Sequence, residues 1–374
     1  MATVVIAAGG TGGHLFPAQA LADELAQRWH RVVLMTDDRG YNYAQTFPRA
    51  EIVTIPSATF ADRGAIGKGL AVLRLAHGAI FAFATLGRIK PAVVVGFGGY
   101  PALPTMFAAA RRGLPSVIHE QNAILGRVNR WLAPAVTRIA SSFEKMKHLD
   151  PVLAPRVTIT GNPVRPAILA GVRPYTPPLA DGPLNLLVFG GSQGARVFST
   201  LVPEAVGILP VDTRRRLQIV QQCRAEDLEA AKARYDAIGL RPTLVPFIGD
   251  MGEQLARAHL VISRAGASSV TELAIVGRPS LLIPYPHAMD DHQAANAGEI
   301  AAMGAGWMLA EAGLTAEILA AKINELASAP AMLSDAAAKA ASLGRPRAAA
   351  ALADLVESVG GLGTGPTTPR ESAA

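Results

Sequence analysis

The sequence has little of what a disulfide scaffold, a disordered chain or a secreted precursor needs. It has one cysteine, Cys223, with no second cysteine to pair with, which excludes an intramolecular disulfide and fits a reducing cytoplasm. Only 17% of its 374 residues are charged and 50% are hydrophobic, a balance that is typical of a globular protein. We expect no secretion signal, because an apolar strand and glycines follow Met1 without a basic leader.

Long apolar runs are also scarce. The best candidate, Leu70 to Gly87, is interrupted by Arg74 and His77, which argues against a transmembrane helix. The net charge of +6 favours anionic partners, and nucleic acid, phospholipid headgroups and a phosphorylated substrate all qualify. The glycine- and proline-rich end, 361–374, lacks the apolar residues that would repay ordering, so we expect it to be disordered.

What is present is an alternation of short β-branched runs with Ala- and Leu-rich helical stretches, which predicts an α/β protein with parallel sheets. The length predicts two domains, and 172–183, rich in proline and glycine, is the predicted linker. The predicted strands are Thr3 to Ala7, Val32 to Met35, Ile52 to Ile55, Ala92 to Val95 and Ser116 to His119, then Asn185 to Phe189, Leu217 to Val220, Thr243 to Val245, Leu260 to Ser263 and Ser280 to Ile283.

Each half opens with a strand, a glycine-rich turn and a helix. The turns are Gly9 to Gly13 and Gly190 to Gly194, and a third, Gly96 to Pro101, also follows a strand. Such a turn brings backbone N–H groups and a helix amino terminus to an anion, although one turn alone is weak support. Three together favour a nucleotide site. The dinucleotide fingerprint fits poorly, because Leu15 occupies the third glycine position, yet an NAD-dependent dehydrogenase stays open as an alternative.

The segment from Ser263 to Glu272 reads as a strand end, a turn of small residues and a helix start. Its N–H groups at Ala267, Ser268 and Ser269 suit a diphosphate, and Glu272, about one turn into the helix, suits the ribose hydroxyls. The alternative role of Glu272 is to stabilise the helix dipole.

Further polar clusters follow other predicted strands. Gln293 and Asn122 suit sugar hydroxyls, Glu120 is a possible acid or base, and Arg165 could reach an anion that bridges two domains. A solvated capping role is favoured over a metal site for His287, Asp290, Asp291 and His292, because the cluster lies on one short loop without an Asp-x-Asp motif.

Six motifs, in this order and spacing, closely resemble the MurG family, bacterial enzymes that transfer N-acetylglucosamine from UDP-N-acetylglucosamine to undecaprenyl-pyrophosphoryl-N-acetylmuramoyl-pentapeptide (lipid I) and so make lipid II for peptidoglycan. The motifs are Gly9 to Pro17, Gly96 to Pro101, His119 to Asn122, Gly161 to Arg165, Gly190 to Arg196 and Arg264 to Glu272. The resemblance spans residue 1 to about residue 345.

The resemblance implies the GT-B fold, two Rossmann-like parallel-sheet domains facing a central cleft, and an inverting transferase that needs neither metal nor other cofactor. The expected domains are 1–164, joined by a helix at about 344–360, and 165–343, which holds the UDP-sugar. The resemblance places Ser192 on the diphosphate, Ile248 beside the uracil, Ala267 to Glu272 on phosphates and ribose, and Gln293 and Asn122 on the sugar, with Thr11, Gly12, Gly13 and Arg165 completing the cleft. Some family members have a glutamine pair where this chain has His292-Gln293, so no sugar contact is assigned to His292.

Transfer to the C4 hydroxyl of the acceptor needs a base. His14 is the first candidate, because histidine titrates near neutral pH and this one follows the first glycine turn; Glu120 is the second. Between Ile66 and Lys90, apolar residues alternate with Lys68, Arg74 and Arg88, which suits a patch on the cytoplasmic face of the membrane or, alternatively, a helix packed on the sheet. We expect a peripheral protein of the inner membrane that binds no nucleic acid and meets other cell-wall synthesis proteins. A UDP-N-acetylglucosamine epimerase and a binding or scaffolding protein that has lost its chemistry remain alternatives.

Overall fold

The chain folds into two units in a computed structural model, which describes residues 1–10, 12–38, 47–58, 65–191 and 194–363, with backbone only at residues 65, 66 and 68. The first unit comprises Met1–Arg165 and Arg347–Ala374, and the second comprises Pro166–Pro346. The predicted α/β class with two parallel-sheet domains is confirmed. The tail predicted to be disordered lies outside the described residues from 364 onward.

The first unit is built on a seven-stranded parallel sheet in the order β3-β2-β1-β4-β5-β6-β7. Its buried strands are runs of valine and isoleucine, as expected where helices cover both faces of a parallel sheet. The strands are β1 (Thr3–Ala7), β2 (Arg31–Thr36), β3 (Ala50–Thr54), β4 (Val93–Gly96), β5 (Ser116–Glu120), β6 (Arg138–Ser141) and β7 (Val157–Ile159).

Helices connect these strands, and one helix returns from the far end of the chain. The helices of this unit are α1 (Gly12–Gln27), α2 (Ala65–Ile89), α3 (Gly99–Arg111), α4 (Arg127–Leu132) and, after the second unit, the returning helix α14 (Ala348–Val359). Leu352, Ala353 and Val356 of α14 are fully buried in one core cluster with residues of β1 and α1. Arg28 at the end of α1 also pairs with Glu357, which is 1% exposed.

The second unit has a six-stranded parallel sheet in the order β10-β9-β8-β11-β12-β13. Its strands are β8 (Leu184–Phe189), β9 (Leu217–Gln222), β10 (Thr243–Val245), β11 (Leu260–Ser263), β12 (Ser280–Leu282) and β13 (Trp307–Met308). Its helices are α5 (Pro166–Ala170), α6 (Phe198–Ile208), α7 (Val211–Arg216), α8 (Leu228–Ala237), α9 (Met251–Arg257), α10 (Ala267–Val276), α11 (His292–Ala302), α12 (Ala316–Ala327) and α13 (Pro330–Leu343).

All ten predicted strands form. The predicted position of the linker is wrong. The segment 172–183 lies inside the second unit, whose boundary with the first falls between Arg165 and Pro166. The segment is fixed there by hydrogen bonds, since Arg278 donates to the Arg173 carbonyl and the Tyr175 hydroxyl donates to the His259 carbonyl. Proline and glycine thus mark an irregular segment that packs on its own domain. Strands β6, β7 and β13 were not predicted.

Candidate functional site

The glycine turns lie where the order of each sheet reverses. In the first unit, β1 and β4 are neighbours although they are not consecutive in the chain, and the chain continues from β1 to β2 on one side and from β4 to β5 on the other. The same holds for β8 and β11 in the second unit. Open α/β sheets bind ligands outside the carboxyl ends of strands at such a switch point. The turns after β1, β4, β8 and β11 are therefore all in positions from which each unit can hold a ligand.

In the first unit, the turn after β1 is pressed against the ends of two neighbouring elements. The Gly10 N–H donates to Asp37 Oδ1 at 3.2 Å. A methyl group at Gly9 would lie 2.7 Å from that same oxygen and 2.7 Å from the Pro101 side chain of α3, so no larger residue fits. Gly10 adopts φ 85°, which favours glycine. Thr11, predicted to belong to this site, lies outside the described residues.

His14 and Arg165 are brought to this same corner of the first unit. A methyl group at Gly99 would lie 3.3 Å from His14 Nε2, so the imidazole lies over the glycine turn that follows β4. A methyl group at Gly12 would lie 2.8 Å from the Phe16 ring, and the Arg165 guanidinium lies 4.5 Å from the centre of that ring. The structure thus brings together the predicted residues Gly12, His14 and Arg165, while Gly13 beside them is exposed.

Glu120 is a buried carboxylate, 2% exposed, whose two oxygens each accept two hydrogen bonds. Oε1 accepts from the backbone N–H and the side-chain amide of Asn122, both at 3.1 Å. Oε2 accepts from the Gly126 N–H at 2.9 Å and from Asn129 Nδ2 at 2.8 Å. These four bonds order the loop that carries Asn122 and the start of α4. Both oxygens of the Glu120 carboxylate are thus already bonded within the first unit.

His119, immediately before Glu120, is fully buried against the Phe97 ring. Its Nε2 donates to the Gly161 carbonyl at 3.0 Å, which ties β5 to the Gly161 to Arg165 segment. Burial lowers the pKa of His119 to about 4; the bond to Gly161 opposes this shift, and the charge of nearby His14 adds to it. His119 is therefore neutral at physiological pH and holds the segment that leads to Arg165.

In the second unit, the turn after β8 is equally tight. The Gly190 N–H donates to Gln222 Oε1 at 3.1 Å, and a methyl group at Gly190 would lie 2.2 Å from the Ala195 nitrogen. Gly191 and Gly194 adopt φ 84° and φ 70°. Only glycine suits a backbone that turns this sharply, and within the turn the Gly194 N–H donates to the Gly191 carbonyl at 3.0 Å. Ser192, predicted to contact the diphosphate, lies outside the described residues.

The start of α10 has the features of an anion site. Its N-cap residue is Gly266, which makes no side-chain cap, and its first turn has no acidic residue. Ser268 Oγ is buried without a hydrogen-bond partner among the described residues. Helix α12 gives the contrast, since Thr315 caps its start and Glu317 lies in its first turn. The N–H groups at the start of α10 are thus left for a negatively charged ligand.

The other residues predicted for the donor lie on the same edge of this unit's sheet. Glu272 of α10 is 6% exposed, Ile248 follows β10 and is 5% exposed, and Gln293 begins α11 beyond β12. The Gln293 Oε1 accepts from the Tyr285 N–H at 2.9 Å, which fixes the orientation of the side-chain amide. The loop before it is strained at Asp290 and Asp291, which adopt φ 51° and φ 55°.

His292 is engaged locally in this loop. Its Nδ1 donates to the Met289 carbonyl at 2.8 Å, an interaction that stabilises the loop before α11. Among the described residues, no group of three or more His, Cys, Asp and Glu side chains is arranged to hold a metal ion.

Helix α2 presents an apolar surface to solvent. Leu70, Leu73 and Ile80 are 61%, 68% and 72% exposed, and Phe81 and Phe83 are 39% and 43% exposed. Judged by length and composition, the stretch Gly69–Ile89 could cross a bilayer. The opposite side of α2 packs on the first unit through Ala71, Ala82 and Leu86. The predicted alternation with basic residues is present at Arg74 and Arg88; the side chains of Ile66 and Lys68 lie outside the described residues.

The sequence and the fold are similar to those of known glycosyltransferases. Residues 4–141 match the glycosyltransferase family 28 N-terminal domain, and residues 185–354 match the glycosyltransferase family 28 C-terminal domain. A UDP-N-acetylglucosamine--N-acetylmuramyl-(pentapeptide) pyrophosphoryl-undecaprenol N-acetylglucosamine transferase of Rhodospirillum centenum is 53% identical over 99% of this chain and 97% of its own. The protein of the same name from Paramagnetospirillum magneticum is 50% identical over 94% and 95%. The crystal structure of Acinetobacter baumannii MurG has 31% identity and a TM-score of 0.78, and the match covers 96% of this chain and 100% of that one.

Proposed function

The chain belongs to glycosyltransferase family 28, and we propose that it transfers N-acetylglucosamine from UDP-N-acetylglucosamine to the C4 hydroxyl of the N-acetylmuramoyl unit of undecaprenyl-pyrophosphoryl-pentapeptide. The products are lipid II and UDP. The resemblance to the MurG family and its GT-B fold is confirmed by the full-length relatives and by the structural match, and the chain is a hexosyltransferase.

The observation that carries this proposal is the uncapped start of α10. A helix that begins with glycine, has no acid in its first turn and leaves Ser268 Oγ without a partner among the described residues is suited to a diphosphate. Glu272 and Ile248 are then assigned to the ribose and the uracil, and Ser192 with the Gly190 to Gly194 turn to the phosphates. The Gln293 amide, whose oxygen is already bonded, is assigned to donate to a sugar hydroxyl.

The first unit is assigned to the acceptor. Its two helix starts, at Gly12 and Gly99, also have no acid in the first turn. With Gly13 and Arg165, they are assigned to supply positive charge for the pyrophosphoryl group of the lipid, and Thr11, which precedes Gly12 in the chain, is assigned to the same group. Asn122, held by Glu120, is assigned to the sugar.

His14 is assigned as the base. Its Nε2 takes the proton of the C4 hydroxyl as that oxygen bonds to the anomeric carbon of N-acetylglucosamine. The bond from that carbon to the UDP oxygen breaks on the opposite face, so the configuration inverts. The helix-start N–H groups stabilise the charge that develops on the departing diphosphate.

The test is incubation with labelled UDP-N-acetylglucosamine and lipid I in the presence of EDTA, followed by extraction of the lipid. We expect label in the organic phase, because the resemblance implies metal-independent transfer. Label that stays wholly in water would disprove the transferase assignment. A control without acceptor tests the alternative, since an epimerase would convert UDP-N-acetylglucosamine alone.

The exposed face of α2 is proposed to bind the cytoplasmic surface of the membrane, where the acceptor lies. Leu73 and Ile80 are the most exposed of its apolar side chains, whereas Phe83 is covered by the Arg112 guanidinium at 4.0 Å. We expect Leu73→Ser with Ile80→Ser to release the protein from anionic vesicles in a flotation assay without lowering its melting temperature. The matched control is Leu179→Ser with Val211→Ser in the second unit, at 77% and 49% exposure. Equal vesicle binding by both double variants would refute the proposed patch.

A further inference from the structure

Arg264 is a buried cation that joins the carboxyl ends of three neighbouring strands in the second unit. It follows β11 directly and its side chain is 8% exposed. Its Nη1 donates to the carbonyls of Ile283 at 3.0 Å and Pro284 at 3.1 Å, just beyond β12. The same Nη1 lies 2.5 Å from Oε2 of Glu311, which follows β13.

Aromatic rings complete the surroundings of the guanidinium. Its Cζ lies 5.2 Å from the ring centre of Phe198 and 5.4 Å from that of Tyr285. The rings and carbonyls stabilise the cation but do not neutralise it. Glu311 is the acid that balances this charge. Because Glu311 is 26% exposed at its side chain, it meets water on one side and the buried guanidinium on the other.

The contacts of Arg264 lead to Gln293. The carbonyls that it binds, at residues 283 and 284, immediately precede Tyr285, whose N–H donates to Gln293 Oε1 at 2.9 Å. Asn296, one turn further along α11, is fully buried and donates to the Ala265 carbonyl at 3.0 Å, next to Arg264 in the chain. A change at Glu311 is thus transmitted to the backbone that fixes the Gln293 amide.

We propose that Glu311 is a positioning residue for the donor sugar, acting through Arg264 and the backbone at residues 283–285 on Gln293. Through this path Glu311 keeps the Gln293 Oε1 bonded to the Tyr285 N–H. The Gln293 NH₂ group then faces the sugar as a hydrogen-bond donor. This inference rests on the proposed function, because it assumes that the donor is a UDP-sugar whose sugar reaches Gln293.

The test separates sugar binding from diphosphate binding. We expect Glu311→Gln to raise KM for UDP-N-acetylglucosamine by about tenfold, through loss of the ion pair with Arg264, while the Kd of UDP measured by calorimetry changes less than about twofold. The matched control is Glu325→Gln, which removes the same charge from an exposed pair with Lys322 and should leave both constants unchanged.

Three results would overturn the inference. They are an unchanged KM in a folded Glu311→Gln variant, an equal rise in KM and in the Kd of UDP, and a fall in kcat alone that matches a smaller folded fraction. If Glu311→Gln is too unstable to assay, Glu311→Asp, which keeps the charge on a shorter side chain, should show the same split, and a wild-type KM for it overturns the inference. Wild-type enzyme that transfers no sugar would instead refute the proposed function.

Discussion

Two buried charges of opposite sign, one in each unit, are held by opposite ends of helices. In the first unit, the carboxylate of Glu120 accepts from the Gly126 N–H, at the N-cap of α4, and from three further amide N–H groups of Asn122 and Asn129. In the second unit, Arg278, 1% exposed, donates to carbonyls at the ends of α9 and α10 and to Arg173. Neither forms an ion pair within the described ranges.

Glu120 and Arg278 show how a buried ion without an ion-pair partner in the described part of the chain is stabilised in this fold. Helix starts leave N–H groups without partners and helix ends leave carbonyls without partners, and the helix dipole gives these ends opposite polarity. An anion therefore belongs at a start and a cation at an end. Glu120 orders the loop between Asn122 and the start of α4, whereas Arg278 fixes the segment around Arg173 that follows the boundary between units.

The largest expected effect comes from removing the cation. Arg278→Met removes the donor from five carbonyls, three of them through buried bonds, so we expect the free energy of unfolding of the second unit to fall by about 3 to 5 kcal/mol. Urea unfolding followed by Trp307 fluorescence, with Trp29 and Trp131 replaced by phenylalanine, measures this. The control is Arg234→Met, a half-buried arginine with one solvent-exposed carbonyl bond, for which we expect a change below about 0.5 kcal/mol. Similar losses of unfolding free energy in both variants would mean that the carbonyl bonds of Arg278 contribute no special stability.

The anion is expected to matter somewhat less to stability. Glu120→Gln replaces one acceptor oxygen by an NH₂ group that opposes the Gly126 or Asn129 donors, so stability should fall by about 2 to 3 kcal/mol. His14→Ala should instead cost about 10²- to 10⁴-fold in kcat with no loss of stability. Thermal melts and steady-state kinetics on both variants distinguish the roles. A Glu120→Gln protein of wild-type stability that has lost the acidic limb of its pH-rate profile would restore Glu120 as the base.

His119, next to Glu120, is a buried group that is stabilised in its neutral form. His119 has a pKa of about 4 in the folded protein against 6.5 when unfolded, so the unfolded chain binds its proton first as pH falls. The stabilisation is complete above pH 6.5 and is lost progressively towards pH 4; between pH 6.5 and 5 we expect a loss of about 2 kcal/mol. His119→Gln keeps a donor for Gly161 but does not titrate. The wild-type stability minus that of the variant should decline over this window, and a constant difference would contradict the prediction.

The smallest expected effect on stability comes from adding a side-chain cap to the start of α10. Gly266 has φ −63° and ψ 149°, and a methyl group there would meet only Ser269 Oγ, at 3.9 Å. Gly266→Asp should therefore cap α10 and stabilise the protein by about 0.5 to 1 kcal/mol, while its charge weakens UDP binding by about tenfold or more. Gly266→Asn caps without the charge and should weaken binding less. Calorimetry with UDP measures both, and undiminished affinity in the aspartate variant would mean that the diphosphate binds elsewhere.

Much of the fold follows from local sequence, because buried parallel strands need continuous β-branched runs. The strands that escaped prediction are short or begin with an exposed residue. Arg138–Ser141 begins with an exposed arginine, and Val157–Ile159 and Trp307–Met308 are only three and two residues long. Their pairing is decided by the neighbouring strand and not by their own composition.

The candidate site is predictable only where its residues are close in sequence. Glycine turns with their following helices identify His14, Ser268 and Glu272 from local pattern alone. The role of His119, the pairing of Arg264 with Glu311 and the support of Gly190 by Gln222 depend on strands that are distant in the chain. A local pattern also cannot show that the Glu120 oxygens are already occupied, and this bears on its candidacy as a base.

The return of α14 to the first unit sets an order of events during synthesis. The ribosome delivers residues 166–346 before Leu352, Ala353 and Val356, which complete a core cluster that begins at Val4. The second unit is thus fully translated while the first still lacks part of its interior. A nascent chain arrested shortly after residue 346 should hold a protease-resistant second unit beside a first unit that is still cleaved.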